Sequence, residues 1–300
     1  MNDPGDPRFG DLIRSDTESA TSGDIVIVGV PTDEGILRNG GRVGAAQAPD
    51  EIRKYLRKLV PPLTMSGTKT RQVFDHRNVS GSTLEDRHGR ASQIIKDYTD
   101  RGCFVIGLGG GHDITYPLVR GTSNTHGRLG LINVDAHLDV REKKNGLHHS
   151  GSSFRLLLEE HIIDPSRFVE FGIQPLVAAK AHADWVTDQG GTIYYYDAIR
   201  SYGVVTAFEK AISELGEFYL SFDIDSIRTS DAPGCSAPSP QGFSSDAALD
   251  ICRIAAASGR LRGFDIVEVS PPFDIDGRTS RLAARMAASV LAGLAAGKQL

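Results

Sequence analysis

Three short segments of the chain concentrate residues able to hold metal ions: Gly109-Gly110-Gly111-His112-Asp113, Asp135-Ala136-His137-Leu138-Asp139 and Ser221-Phe222-Asp223-Ile224-Asp225. Each follows an apolar, strand-like run. His112, Asp135, His137, Asp139, Asp223 and Asp225 amount to four carboxylates and two imidazoles with no thiolate, a donor set that suits Mn²⁺ better than structural Zn²⁺. Two cations held close together can share a water and lower its pKa, giving hydroxide near neutral pH without a side-chain base. The implied chemistry is metal-assisted attack on an electrophilic carbon or phosphorus. In an extended segment, period two sends Asp135, His137 and Asp139 to one face, and Asp223-Ile224-Asp225 repeats the device with two carboxylates that crowd unless cations neutralise them. Singly, the DxD is equally a cap or turn and His112 equally a capping residue. The joint occurrence at three strand ends is what points to a metal site. The glycine run lacks the spacing of a phosphate-binding loop, so a nucleotide site is not implied.

Ligands from distant segments meet only if the elements before them lie side by side. Continuous β-branched or apolar runs at 25–30, 103–108, 129–134, 168–173, 192–196, 218–222 and 261–267 read as strands buried on both faces. Helical periodicity at 49–59, 84–101, 154–160, 178–189, 204–215, 245–258 and 279–296 fills the intervals. Such alternation predicts an α/β fold, a mostly parallel sheet covered by helices on both sides, because parallel strands need crossover connections. In open sheets of this class ligands bind beyond the carboxyl ends of the strands. His112, Asp135, Asp223 and Glu268 all follow strand runs, so all four are expected at one edge.

At 300 residues and 40% hydrophobic content the chain can bury a large core, and a single domain over residues 24–300 is expected. Residues 1–23 are polar and aperiodic and read as a flexible N-terminal arm. A net charge of -5 with scattered basic residues favours a small-molecule partner over nucleic acid or an anionic membrane. No apolar run approaches the roughly 20 residues that span a bilayer, and the first residues have no signal-peptide pattern, so a cytoplasmic setting is expected. Cys103, Cys235 and Cys252 are few, odd in number and without CxxC spacing, as buried structural thiols would be.

With these motifs in view, the chain resembles the ureohydrolase family of arginases, agmatinases and formimidoylglutamases from about residue 24 to residue 296. The resemblance implies a three-layer α/β/α fold with a mainly parallel sheet of about eight strands, and two Mn²⁺ per subunit. By motif position, His112, Asp135, Asp139 and Asp223 would serve one ion and His137, Asp135, Asp223 and Asp225 the other. Asp139 would assist catalysis. Glu268, in Asp265-Ile266-Val267-Glu268-Val269-Ser270-Pro271, corresponds to the glutamate that binds the substrate's amidine nitrogens, as a charge-assisted pair would.

Within the family the segments Asn39-Gly40-Gly41-Arg42-Val43-Gly44, Arg141, Ser150-Gly151-Ser152-Ser153-Phe154-Arg155 and Phe273-Asp274-Ile275-Asp276-Gly277-Arg278 look most like the formimidoylglutamase branch of histidine degradation. N-formimidoyl-L-glutamate has two carboxylates beside its amidine, so its pocket needs cations; Arg141 and Arg42 are the candidates, with Ser150 and Gly151 for the amino-acid end. An arginine there would repel agmatine. His148 and His149 adjoin this turn and are candidate proton shuttles. Two departures stand out. Arg228 replaces the later carboxylate of the family's DxDxxDP pattern, and Phe154 stands where arginases carry a histidine, so the arginase proton relay does not transfer. The resemblance further implies a homo-oligomer, a trimer or hexamer. Competing readings are agmatinase or another guanidino-compound hydrolase releasing urea, and a metal-binding protein of this fold that does not turn over.

Overall fold

The computed structural model describes residues 5–61 and 71–296. The run at 25–30 forms strand β1 (Ile25–Val30), buried at every residue as a strand covered on both faces must be. With β2 (Val73–Asn78), β3 (Phe104–Gly109), β4 (Gly130–Val134), β5 (Phe168–Ile173), β6 (Thr192–Tyr195), β7 (Phe218–Asp223) and β8 (Leu261–Val267) it forms one eight-stranded sheet. The order is β2-β1-β3-β8-β7-β4-β5-β6, and every pairing is parallel.

Period two assigns the two faces. Ile25, Ile27, Ile106, Ile132, Val134, Leu220 and Phe222 pack against helices Ala48–Leu56, Val204–Ser213, Ser245–Ala257 and Arg278–Ala296. Their neighbours Val26, Val28, Val105, Leu131 and Tyr219 pack against Leu84–Asp100, Thr115–His126, Ser153–Glu159 and Lys180–Asp188. The result is a three-layer α/β/α arrangement. Each side chain buried this fully contributes roughly 1.5–3 kcal/mol.

Three features differ from the sequence reading. Strand β2 is absent from it, because Val73-Phe74-Asp75-His76-Arg77-Asn78 is apolar only at its start; as an edge strand it is buried in its first half alone. Helix Thr115–His126 also escapes it, since Pro117 and Gly121 suggest a loop; Pro117 sits in the first turn, where the missing N–H is tolerated. Residues 1–4 of the expected flexible arm lie outside the described residues, and the rest is tethered at Phe9 and Arg14 while most of its side chains stay exposed or half-buried. Phe9 is fully buried, its N–H bonds Leu59 O at 2.9 Å, and Arg14 exchanges backbone hydrogen bonds with Val73 and Asp75 beside β2.

The strands preceding the candidate ligands, β3, β8, β7 and β4, are consecutive in the sheet although they are scattered along the chain. Crossover connections thus bring four motif-bearing ends together at the centre of one edge.

Candidate metal centre

His112 opens a short 3₁₀ turn after β3, reached through Gly110, where a Cβ would lie 2.0 Å from Thr32 O. Only glycine allows that approach. After β4 the chain bends at Asp135 instead of continuing extended, which corrects the expectation of a straight DxHxD face. Asp135 Oδ1 accepts the N–H of His137 at 2.7 Å, a local bond that competes with the strand. Asp223 Oδ1 captures the N–H of Asp225 in the same way at 2.8 Å. Both bends aim side chains i and i+2 into a common space.

There the donors form two groups, one of His112, Asp135, Asp139 and Asp223 and one of Asp135, His137 and Asp225; within each, the donor atoms lie within 4.8 Å of one another. Asp135 belongs to both, while Asp223 belongs to the first group alone. His112 Nδ1 is 3.2 Å from Asp135 Oδ2, 3.0 Å from Asp139 Oδ2 and 3.0 Å from Asp223 Oδ2. His137 Nδ1 is 3.2 Å from Asp225 Oδ2.

A row of buried polar residues lies one pleat beneath. Asp265, Ser221, Asn133 and Glu170 are register partners across β8, β7, β4 and β5. Ser221 and Asn133 sit two residues before Asp223 and Asp135. The Ser221 hydroxyl donates to Asp265 Oδ1 at 2.7 Å, and its oxygen faces His112 Nε2 at 3.0 Å. Since the serine proton is committed to Asp265, Nε2 carries the imidazole proton and donates. In the neutral ring Nδ1 then presents its lone pair toward three carboxylates; against the opposing effect of burial, their charges otherwise raise the proton affinity of His112. Nδ1 is buried and without a hydrogen-bond partner, and Asp225 Oδ1 is likewise orphaned. Lone pairs and anions converging in this way fit a bound cation. Asn133 Nδ2 bonds both Glu170 Oε2 at 2.8 Å and Asp135 Oδ2 at 3.2 Å, supporting the shared ligand from below.

The crowding shows in proton affinities. Burial, joined by the charges of Asp225 and Asp135, pushes Asp223 well above the carboxylate range. Burial lifts Asp225 to about 6, against the opposing charge of His137. Glu268 is pushed up to about 8 by burial, although it accepts the His112 N–H at 2.9 Å. His137 is raised, chiefly by Asp225. Asp139 and Glu268 both adopt left-handed backbone, φ 45° and 64°, an uncommon conformation for residues with a side chain and one that recurs at functional sites.

Beyond the cluster, Arg141, Ser150 and Gly151 come together. Arg141 N–H bonds Gly151 O at 2.8 Å, and Arg141 Nη1 and Ser150 Oγ both contact Asn39. Ser153 Oγ donates to His112 O at 2.8 Å and Phe154 N–H to Asp139 O at 3.3 Å, tying this turn to two ligand segments. The Phe154 ring meets His112 edge-on, centroids 5.1 Å apart. His182 adjoins the group, depressed by burial and then by Arg141 and Arg155. Arg42 lies apart from these contacts: its Nε and one Nη2 N–H bond Ser236 O and Cys235 O, and its guanidinium lies 4.1 Å over the Phe273 ring. His148 packs on Tyr116 and His88 and is pulled down to about 4, mainly by burial. His149 is engaged with Glu142 O and the Gly151 N–H. Arg228 pairs with Asp231, away from the ligand set.

Asn133, Glu170, Ser221, Asp265 and Asn39 were not among the residues singled out from sequence. The first four did carry a signal, a polar residue in the interior of a largely apolar strand.

A sequence model of the arginase family matches residues 23–293. The formimidoylglutamase of Ralstonia nicotianae is 32% identical, the match covering 96% of this chain and 91% of that protein. The human mitochondrial guanidino acid hydrolase is 30% identical, over 98% and 87%. The crystal structure of Trypanosoma cruzi formiminoglutamase with Mn²⁺ superposes with a TM-score of 0.91 at 35% identity, covering 97% of this chain and 99% of that one. Matched over nearly its whole length in sequence and in fold, the chain belongs to the arginase family.

Proposed function

We propose that the protein hydrolyses N-formimidoyl-L-glutamate to L-glutamate and formamide, with two Mn²⁺ held by His112, Asp135, Asp139 and Asp223 and by Asp135, His137, Asp223 and Asp225. The observation that carries the reading is the buried His112 Nδ1, unpartnered and faced by three carboxylates, beside a second His/Asp group that shares Asp135. Bound there, such cations would lower the pKa of a water and offset developing negative charge. The names of the relatives, formimidoylglutamase and a formiminoglutamase with Mn²⁺, support both the substrate and the metal.

The chain's own residues supply orientation. Glu268 keeps one carboxylate oxygen on the His112 N–H and turns the other toward an incoming amidinium, whose positive charge favours the ionised carboxylate. Arg141 and Ser150 take a carboxylate at the other end, setting the amidine carbon toward the His/Asp cluster. Asp139, in its left-handed conformation, stands between the two regions, its backbone oxygen tied to the 150s turn and its carboxylate against His112. Water adds to the amidine carbon, the bond from that carbon to the glutamate nitrogen breaks, and the nitrogen leaves as the amine with the transferred proton.

A guanidino acid, releasing urea, is the second reading. It shares the amidine and the carboxylate, and the human relative bears that name. A parallel assay of the Mn²⁺-loaded protein with N-formimidoyl-L-glutamate, guanidino acids and agmatine separates them. Formamide and glutamate from the first substrate alone are expected; urea from a guanidino acid would replace the substrate assignment while keeping the metal centre. Among the described residues no helix is long and apolar enough to cross a membrane. A cytoplasmic homo-oligomer of three or six copies, with no nucleic-acid partner, completes the proposal, in keeping with the net charge of -5 and its scattered basic residues.

A further inference from the structure

Asn39 is the last residue of helix Glu34–Asn39, which Gly40 closes in the left-handed conformation at φ 84°. Its side-chain amide bridges two residues remote in sequence: Arg141 Nη1 donates to Asn39 Oδ1 at 3.2 Å, and Asn39 Nδ2 donates to Ser150 Oγ at 3.1 Å. The direction of this bridge is forced. A guanidinium can only donate, so the amide oxygen must face Arg141, and the nitrogen must face Ser150. Ser150 therefore accepts at this contact, and its own proton is directed elsewhere. Among the described residues neither that proton nor the remaining N–H groups of Arg141 meet an acceptor, and no carboxylate pairs with Arg141.

An amide placed this way orders two groups so that each keeps a donor free to point outward. That is the complement of a carboxylate, which accepts at both oxygens. The frame around it is rigid. Gly151 lies under the amide, where a Cβ would come within 3.0 Å of Asn39 Nδ2 and 3.2 Å of Arg141 Cδ. Arg38, one residue earlier, donates to His148 O at 3.0 Å, and Lys144 Nζ reaches Arg38 O at 3.3 Å. The helix end is thus fastened to both flanks of the 141–150 loop.

We infer that Asn39 is a positioning residue for substrate selection: it aligns Arg141 and Ser150 as paired donors for a substrate carboxylate. The inference rests on the proposed amidine hydrolysis of a carboxylate-bearing substrate and deepens it. Asn39 itself touches no reacting atom, so its loss acts on the carboxylate end and leaves the metal cluster intact.

The test compares wild type with Asn39→Ala and Asn39→Asp, all Mn²⁺-loaded, by steady-state kinetics on N-formimidoyl-L-glutamate, calorimetric binding of L-glutamate, metal content and thermal unfolding. Asn39→Ala is expected to raise KM about tenfold or more with kcat held within about threefold. Asn39→Asp is nearly isosteric, yet it takes up the Ser150 proton and neutralises Arg141, so it is expected to raise KM further than alanine does. A purely structural amide would give the reverse order, with aspartate the milder change, and that order overturns the inference. So does an unchanged KM, or a loss of bound metal that accounts for the whole effect. If the wild type turns over no N-formimidoyl-L-glutamate, the substrate proposal fails separately and L-glutamate binding decides. Weakening in the order wild type, alanine, aspartate supports Asn39; equal affinities, or none in wild type, overturn it.

Discussion

Arg141 follows the ligand Asp139 by two residues, yet the cluster of acids and imidazoles and the rim around Arg141 are built on opposite plans. The cluster hangs from the ends of four adjacent parallel strands. Its side chains are mostly buried, its two bends are held by carboxylate-to-backbone bonds, and a second polar row supports it one pleat below. The rim is assembled from a helix end and the 141–150 loop, with Arg141 exposed and its neighbours fastened by surface ion pairs such as Arg38–Glu85. Chemistry that needs sub-ångström placement sits on the sheet, and in the proposed reading recognition of the substrate's distal end falls to the loop-built rim.

The sharpest way to break the contrast is to delete a ligand. Asp223→Ala removes a carboxylate from 3.0 Å of His112 Nδ1. We expect kcat/KM to fall by about a thousandfold or more, past the 10–100-fold typical of outer-shell changes, with less Mn²⁺ per chain by elemental analysis. Full turnover by this variant would sink the two-metal assignment. The backbone should survive, because the unfavourable crowding of Asp223 with Asp225 and Asp135 is relieved along with the lost ligand.

A smaller effect tests whether the buried row belongs to the cluster's plan. Ser221→Ala removes the acceptor of the His112 Nε2 proton and leaves Asp265 without that donor. Asp265 retains Tyr219 OH at 2.9 Å, so the fold is kept while the imidazole loses what fixes its tautomer. Mn²⁺ affinity, measured by competition with a chelator, is expected to weaken roughly 10–100-fold. Unchanged affinity would mean that the carboxylates alone hold the ring.

The same division explains what could be read from sequence. The six candidate ligands were legible because each stands in a polar motif directly after an apolar run, a local pattern. Asn133, Glu170, Ser221 and Asp265 were equally visible as polar interruptions, but their meaning depends on register between β4, β5, β7 and β8, set by crossover connections rather than by neighbours in the chain. Asn39 needed a contact to Arg141 across 102 positions. Arg42, by contrast, has the glycine-rich setting of a binding loop, and that two of its five N–H donors go to loop carbonyls is a contact between distant segments that sequence does not reveal. Strand β2 and the helix at Thr115–His126 were missed for local reasons, a polar half in one and Pro117 with Gly121 in the other.

The smallest effect concerns how the rim is fastened. Glu85 meets Arg38 at 2.5 Å, and this pairing, working against partial burial, lowers the Glu85 carboxyl to about 2 from its ordinary 4.5. Because the folded value lies below the unfolded one, the pair's stabilisation is fully present above the ordinary value and is lost as pH falls from there toward 2. Glu85 is 45% exposed, so solvent screens most of the Coulombic attraction, and Glu85→Gln should cost less than about 1 kcal/mol at neutral pH. Denaturant melts at pH 7 and pH 3 provide the check: the gap between wild type and Glu85→Gln should narrow at the lower pH and shrink with added salt. A gap that stays constant would show that Glu85 supports the rim by packing rather than by charge. The Arg38 side chain, which also reaches His148 O, would then be held to the loop without its ion pair.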